Sequence, residues 1–297
     1  MKRGAHQIAW WEYGNPQGVP VLILHGGPGA ASADSDRCAF NARHWRIIQL
    51  DQRGCGKSTP SCELKDNDTQ HLVGDIEALR EMLGIQEWVI HGGSWGITLG
   101  LLYGQEFPDR VTAFLLRAVF LCRPRDIDWL FERGGAELAK KEQFQDYLKA
   151  SGRGSGSLIT AYGQLLSSRE PGKVLAAAQA WAQWENSLCY VSPAKATREL
   201  PDAQALQLGV LEHHYLSNGG FIKDNQLLEE IGALEGKPAL IVHGAKDLCC
   251  PAYQAIELYQ SWPGAELRIV EAAGHSAQEA AMARALTEAA RDLRLRL

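Results

Sequence analysis

Short continuous apolar runs alternate with segments of helical spacing along the first third of the chain. Val19 to Leu24 and Trp45 to Leu50 are such runs, each entering a glycine-rich loop, which predicts buried parallel strands. Thr69 to Leu83 sets Leu72, Ile76, Leu79 and Leu83 on one helical face. The run Trp88-Val89-Ile90, a helix from Thr98 to Phe107 broken before Pro108, and a strand from Val111 to Phe120 continue the rhythm. Gln7 to Tyr13, closed by the turn cluster Gly14-Asn15-Pro16-Gln17-Gly18, reads as a hairpin strand. Strands alternating with helices imply an α/β fold whose mostly parallel sheet is covered on both faces.

From Leu121 to Glu235 the continuous runs disappear. The spacing predicts helices over Trp129–Glu137, Glu142–Ala150, Leu158–Leu166, Val174–Trp184 and Gln204–Tyr215, with a flexible Gly-Ser loop at 151–157. Strand rhythm resumes at Pro238–Gly244 and Glu266–Val270, and a helix over Gln278–Leu295 closes the chain. The expected organisation is a core made of 1–120 and 236–297, interrupted by an all-helical cap at 121–235. No internal repeat of fixed period is found.

The chemistry begins at Gly92-Gly93-Ser94-Trp95-Gly96, a Gly-x-Ser-x-Gly set between a predicted strand and a predicted helix. A serine on so sharp a turn needs glycine on both sides, where a Cβ would crowd the neighbouring strand. By itself the five-residue pattern also fits a Gly-Ser loop without chemistry. A nucleophilic serine requires a base, and the base an orienting acid, in the order Ser, Asp, His for this type of elbow. Asp247 and His275 fit, each just beyond a predicted strand, at the sheet edge where open α/β folds place their sites. Either alone reads as an ordinary loop residue; the three together, in order, read as a triad. His25-Gly26-Gly27-Pro28-Gly29 then supplies the second half of an oxyanion hole, with the Gly27 and Trp95 amides as donors.

Composition removes other classes. Apolar residues make up 45% and charged residues 22%, and a net charge of −5 offers no basic face for nucleic acid. No apolar run approaches the roughly 18 residues needed to span a bilayer, and no signal peptide is evident. Seven irregularly spaced cysteines lack paired metal-ligand spacing, so a cytoplasmic protein with free thiols and no metal is expected. Nine tryptophans suggest an aromatic-lined pocket. Arg53 and Arg117 read as structural, buried and paired.

The set Gly93-Ser94-Trp95-Gly96, His25-Gly-Gly-Pro-Gly29, Asp51-Gln-Arg-Gly-Cys-Gly-Lys-Ser58 and Ala273-Gly-His-Ser276 resembles the α/β-hydrolase fold, and closely the prolyl aminopeptidases (proline iminopeptidases). Leu116–Phe120, Trp181–Glu185, Glu212–Tyr215 and Asp247–Pro251 extend the resemblance through the cap. It implies a serine exopeptidase that releases N-terminal proline from peptides through an acyl-enzyme, without cofactor, and is compatible with a monomer. It further implies that Glu185 and Glu212 bind the substrate's terminal amine and that Phe120 and Cys250 line the proline-ring pocket. A vicinal Cys249–Cys250 disulfide would be strained; a free Cys250 facing the pocket would make the protein sensitive to bulky thiol reagents. The chain departs from the family at Ala118, where glycine is frequent, and at Leu130, where an aromatic residue is usual. The alternative is a capped esterase or amidase that does not read a terminal amine.

Overall fold

The computed structural model describes residues 1–152, 155–197 and 199–297. Its centre is a seven-stranded sheet: β1 (Trp10–Gly14), β2 (Val19–Leu24), β3 (Trp45–Leu50), β4 (Trp88–Ser94), β5 (Val111–Val119), β6 (Ala239–Gly244) and β7 (Ala265–Val270). The spatial order is β1-β3-β2-β4-β5-β6-β7, parallel throughout except for β1, which runs antiparallel to β3. Within the central strands successive side chains enter opposite cores. Leu22, Leu24, Ile48, Leu50, Ile90, Phe114, Leu116 and Ile241 face one side. Val21, Ile23, Ile47, Val89, Leu115, Leu240 and Val242 face the other. Both faces are therefore covered, as continuous apolar runs require.

The first core is closed by the helix Thr69–Met82, through Leu72, Val73, Ile76 and Leu79, and by the helix Trp95–Glu106, which is buried almost all round. Asp68 caps the former, its carboxylate accepting the His71 amide at 2.9 Å. The second core is closed by the terminal helix Ala280–Arg294, whose Met282, Leu286, Ala289, Ala290 and Leu293 form one stripe.

The chain order creates a switch point. From β2 it steps outward to β3, then returns to place β4 on the other side of β2, so the loops leaving β2 and β4 diverge from adjacent carboxyl ends. Open α/β sheets bind ligands in that crevice.

Between β5 and β6 the structured elements are all helical. The principal ones are Pro124–Phe131, Lys141–Ala150, Leu158–Leu166, Pro171–Cys189 and Asp202–Ser217. Their core is aromatic: Phe131 stacks on Trp181 at 4.0 Å, and Tyr147 on Tyr162 at 4.5 Å. The inserted helices are tied to the sheet by Trp129 Nε1, which donates to the Leu248 carbonyl at 2.8 Å, and by Tyr215. Its hydroxyl donates to Asn67 at 2.7 Å while its ring meets Trp95 edge-on at 5.0 Å.

Two expectations need correction. Trp10–Gly14 does not form a hairpin with the next strand; β2 lies buried between β3 and β4, and the half-exposed β1 takes the sheet edge beside β3. The helix expected over Trp129–Glu137 runs instead over Pro124–Phe131, because Pro124 sits at its first position and Asp126 accepts the Arg123 amide. It cannot continue, because Gly134 has φ +91° and Gly135 lies flat against the Trp129 backbone. Residues 153 and 154 of the Gly-Ser loop lie outside the described residues.

The departure at Ala118 has a backbone meaning. Gly93 pairs with Arg117 and Ser94 with Val119, so Ala118 is the extra residue of a bulge, at φ +56°. A left-handed non-glycine residue costs roughly 1–2 kcal/mol, against 0.5–1 for glycine's added freedom when unfolded. Ala118→Gly is expected to stabilise the protein by about 0.5–1 kcal/mol in denaturant unfolding; a clear loss of stability would contradict this reading of the bulge.

Candidate active site

Ser94 closes β4 with φ 57° and ψ −128°, a strained conformation held by its neighbours. A Cβ on Gly96 would overlap the Leu24 carbonyl of β2, and one on Gly92 would lie 2.5 Å from the Gly96 carbonyl. Glycine is therefore required on both sides of the turn. The helix starting at Trp95 leaves its first amides without intrahelical acceptors, so the Trp95 N–H is free for an anion.

The His25–Gly29 loop lies directly over this turn. A Cβ on Gly26 would stand 3.3 Å from the Ser94 Cβ and 3.9 Å from its hydroxyl. Gly27 has φ +104°, and a Cβ there would crowd the Gly29 and Ala30 amides at 2.7 Å. Gln52 fixes the loop to the elbow. Its amide N–H donates to His25 Nε2 at 3.0 Å, its side chain donates to the His25 carbonyl at 2.9 Å, and its Oε1 accepts Trp95 Nε1 at 2.9 Å. Gln52 was visible only as part of Asp51-Gln52-Arg53-Gly54, with nothing in the spacing to connect it to Ser94.

Asp247 and His275 come together at the ends of β6 and β7. His275 Nδ1 lies 3.0 and 3.1 Å from the two Asp247 oxygens, and the Cys250 amide donates to Asp247 at 2.8 Å. Burial alone would raise the Asp247 pKa; the His275 and His243 rings and the Cys250 amide outweigh it and hold the carboxyl below its usual range. The Nδ1–H is thus committed to Asp247, leaving Nε2 for a reacting group. The Cys250 Sγ also stands 4.0 Å from the Ser94 hydroxyl. His275 is further anchored by Arg117, which donates to its backbone carbonyl, and by Glu279, which accepts the Gly274 amide at 2.5 Å. Arg117 is paired through that carbonyl but only half-buried, where full burial was expected. Arg53 does make its expected ion pair, bidentate to Asp75 at 2.6 and 2.7 Å.

A cavity of about 190 Å³ opens beside His275, lined also by Arg117, Glu185, Cys189, Tyr190 and Leu208. Drug-sized ligands need roughly 300 Å³ or more, so this space suits a small group. Glu185 lines it. Glu212 sits behind, accepting Trp181 Nε1 at 2.6 Å. Ser94, Phe120 and Cys250 are not in the lining; they are buried beneath, with the Phe120 carbonyl accepting Thr98 Oγ1 from the elbow helix at 2.7 Å. Nor do the tryptophans line the cavity as expected. Trp181 and Trp184 are fully buried in the aromatic core of the inserted helices, and Trp184 Nε1 donates to the Leu130 carbonyl at 2.7 Å.

Burial raises the pKa of both glutamates. Glu212 is pushed well above the usual range, first by burial and then by the Glu185 charge, while His275 partly restrains the rise at Glu185. The two carboxyls titrate as a pair that holds a proton where isolated glutamates would not. The cysteines are all free. Cys249 lies against Cys189, Sγ to Sγ 3.6 Å, and not in a vicinal disulfide. Cys250 is free as expected, but it is buried and its thiol is pushed well up by burial and then by Asp247. Fast attack by bulky thiol reagents is therefore not its chemistry; Cys38 is the exposed thiol.

A family model described as alpha/beta hydrolase fold matches residues 19–281. Esterases of known structure share the architecture: one from Rhodococcus sp. superposes with TM-score 0.63 at 20% identity, covering 97% of this chain and 94% of that one. Another, from Exiguobacterium antarcticum, gives 0.61 at 18%, covering 98% and 96%. Fold and site together define an α/β hydrolase. Sequence relatives narrow the class. Similarity to the proline iminopeptidase of Neisseria gonorrhoeae is 45% identity over 295 residues, 98% of this chain and 94% of that protein. For the proline iminopeptidase of Arabidopsis thaliana it is 44%, over 92% and 73%, and for that of Xylella fastidiosa 40%, over 92% and 88%. The chain belongs to the proline iminopeptidase family.

The carboxyl pair has a measurable cost to the fold. Unfolded glutamates titrate near 4.5, and above that pH the unfolded chain has released protons that the folded pair still holds. Stability therefore falls as pH rises from about 4.5 toward the raised folded values. Glu212→Gln is expected to flatten this decline and to raise Tm at pH 8; a lower Tm at pH 8 with an unchanged slope would contradict the assignment.

Proposed function

We propose that Ser94, His275 and Asp247 carry out the hydrolysis of an N-terminal prolyl bond, with the Gly27 and Trp95 amides as the oxyanion hole. The protein is a serine exopeptidase that removes proline from the amino end of peptides, and the roles of these residues follow from that chemistry. The Ser94 hydroxyl attacks the proline carbonyl while His275 Nε2 takes its proton; Asp247 holds the Nδ1–H and stabilises the imidazolium. Negative charge on the tetrahedral oxygen is met by the two amides. The imidazolium returns the proton to the departing amine, and water releases proline from the acyl-enzyme by the same steps in reverse.

The observation that carries the substrate assignment is the Glu185–Glu212 pair beside His275, Glu212 buried and Glu185 half-buried against the cavity. Two carboxyls withdrawn from water are unfavourable unless a cation completes them. The secondary ammonium of an N-terminal proline carries two N–H donors and a positive charge, and fits that need. Phe120 and Cys250, buried at the ends of β5 and of the loop after β6, form the apolar side against which the ring rests. Residues 121–235 act as the cap on a core of 1–120 and 236–297, and the small cavity limits entry to a chain end.

A chromogenic proline amide should be cleaved about 10⁴-fold more efficiently, in kcat/KM, than its N-acetyl derivative, because an acylated nitrogen leaves both carboxyls unpaired. Equal rates, or a preference for a simple acyl ester, would leave a capped esterase instead. Asp247→Asn should lower kcat on the proline amide by about 10⁴-fold. A loss below tenfold would remove Asp247 from the triad.

A further inference from the structure

Beside the proposed triad lies a second cluster that the hydrolytic steps do not use. The helix Pro171–Cys189 ends against the loop that follows β6, bringing Cys189 Sγ to 3.6 Å from Cys249 Sγ. These two sulfurs and a ring nitrogen of His275 all lie within 4.8 Å of one another. Since Nδ1 of His275 is bonded to Asp247, Nε2 is the nitrogen left to complete the cluster.

We propose that Cys189, Cys249 and His275 form a binding site for a thiophilic divalent cation of the zinc class, and that its occupancy reversibly blocks the enzyme by capturing His275.

The spacing is that of two thiols in contact, and it admits a chelate without rearrangement. Zinc–sulfur bonds of about 2.3 Å in a tetrahedral site set two sulfurs roughly 3.8 Å apart, whereas a disulfide needs about 2.05 Å. The observed 3.6 Å is close to the first and far from the second. Two sulfurs and one imidazole are a borderline-soft donor set suited to zinc, and hard cations such as magnesium would be refused. The outer contacts are those a metal-bound histidine uses, with Asp247 accepting the Nδ1–H and thereby fixing the ring so that Nε2 faces the ion. Glu185 and Asp247 supply negative potential that favours a dication. Cys189, Glu185 and His275 all line the cavity, which gives an entry path and leaves a fourth position for water or the Glu185 carboxylate. On binding, the two S–H bonds are lost, two metal–sulfur bonds and one metal–nitrogen bond form, and two protons leave to solvent, with no change of oxidation state.

The inhibitory consequence rests on the assignment of His275 as base; the binding does not, so the two are measured separately. The full-length protein, freed of chelator, would be titrated at pH 7.5 with Co²⁺ while the thiolate-to-cobalt charge-transfer absorption is followed. Zn²⁺ would then be added as competitor, with proline-amide hydrolysis assayed in parallel. The expected result is one equivalent bound with a charge-transfer band, displacement by Zn²⁺, and a fall in kcat/KM of at least tenfold that excess EDTA restores. Cys189→Ser and Cys249→Ser should each lose the band and weaken inhibition at least tenfold, while Cys38→Ser behaves as the parent. Absence of the band from the unmodified protein overturns the site without touching the hydrolytic reading. Inhibition that survives in both cysteine variants overturns capture of His275, and a full band with undiminished activity does the same.

Discussion

The structure depends on the backbone of Ser94 being held where it would not rest. A non-glycine residue at φ 57° and ψ −128° carries strain of order 1–3 kcal/mol, which persists only where packing over-determines it. Here Gly92 and Gly96 let β4, the following helix and the Leu24 carbonyl of β2 approach so closely that no other path is open to the chain. Because β2 and β4 flank the switch point, the same contact brings the His25–Gly29 loop over the serine, and Gln52 locks it there through His25 and Trp95. The proposed nucleophile and oxyanion donors are thus positioned by one packing constraint.

The other half of the candidate site is electrostatic. Asp247 is kept ionised by the groups around it, whereas Glu185 and Glu212 are left short of positive partners and hold a proton between them. The inserted helices supply that frustrated pair, and the ends of the sheet strands supply the proposed triad. Such a pair suits the cationic substrate end proposed above, and it is joined to the aromatic core of the inserted helices through Trp181, which packs on Phe131 and donates to Glu212.

Much of this was legible in the chain itself. The runs at Val19–Leu24 and Trp45–Leu50 became strands with those bounds, their apolar residues marking burial even though Trp45–Leu50 also carries Gln49 and Arg46, which pairs with Glu12 at 2.9 Å. Ser94, Asp247 and His275 could be singled out as candidates because elbow glycines and strand ends are local signals. What stayed hidden was non-local. The partner of Trp10–Gly14 is chosen by which strand has a free edge, and Gln52 matters only because two loops meet. The tryptophans counted toward a pocket turned out to be core, since composition carries no direction. The pairing of Cys189 with Cys249 spans a helix and a loop that no spacing rule connects. That position 118 sits in a bulge at positive φ, where glycine is favoured, appears only in the structure.

The most direct test of the account separates the carboxyl pair from the triad. The Glu185→Gln, Glu212→Gln double variant would be assayed on a proline amide and on a simple acyl ester that lacks an amine. The account predicts a fall of 10²-fold or more in kcat/KM for the proline amide, with ester hydrolysis changed by less than about threefold. A parallel loss on both substrates would show that the pair supports the catalytic machinery in general, and would contradict the claim that it reads the terminal amine.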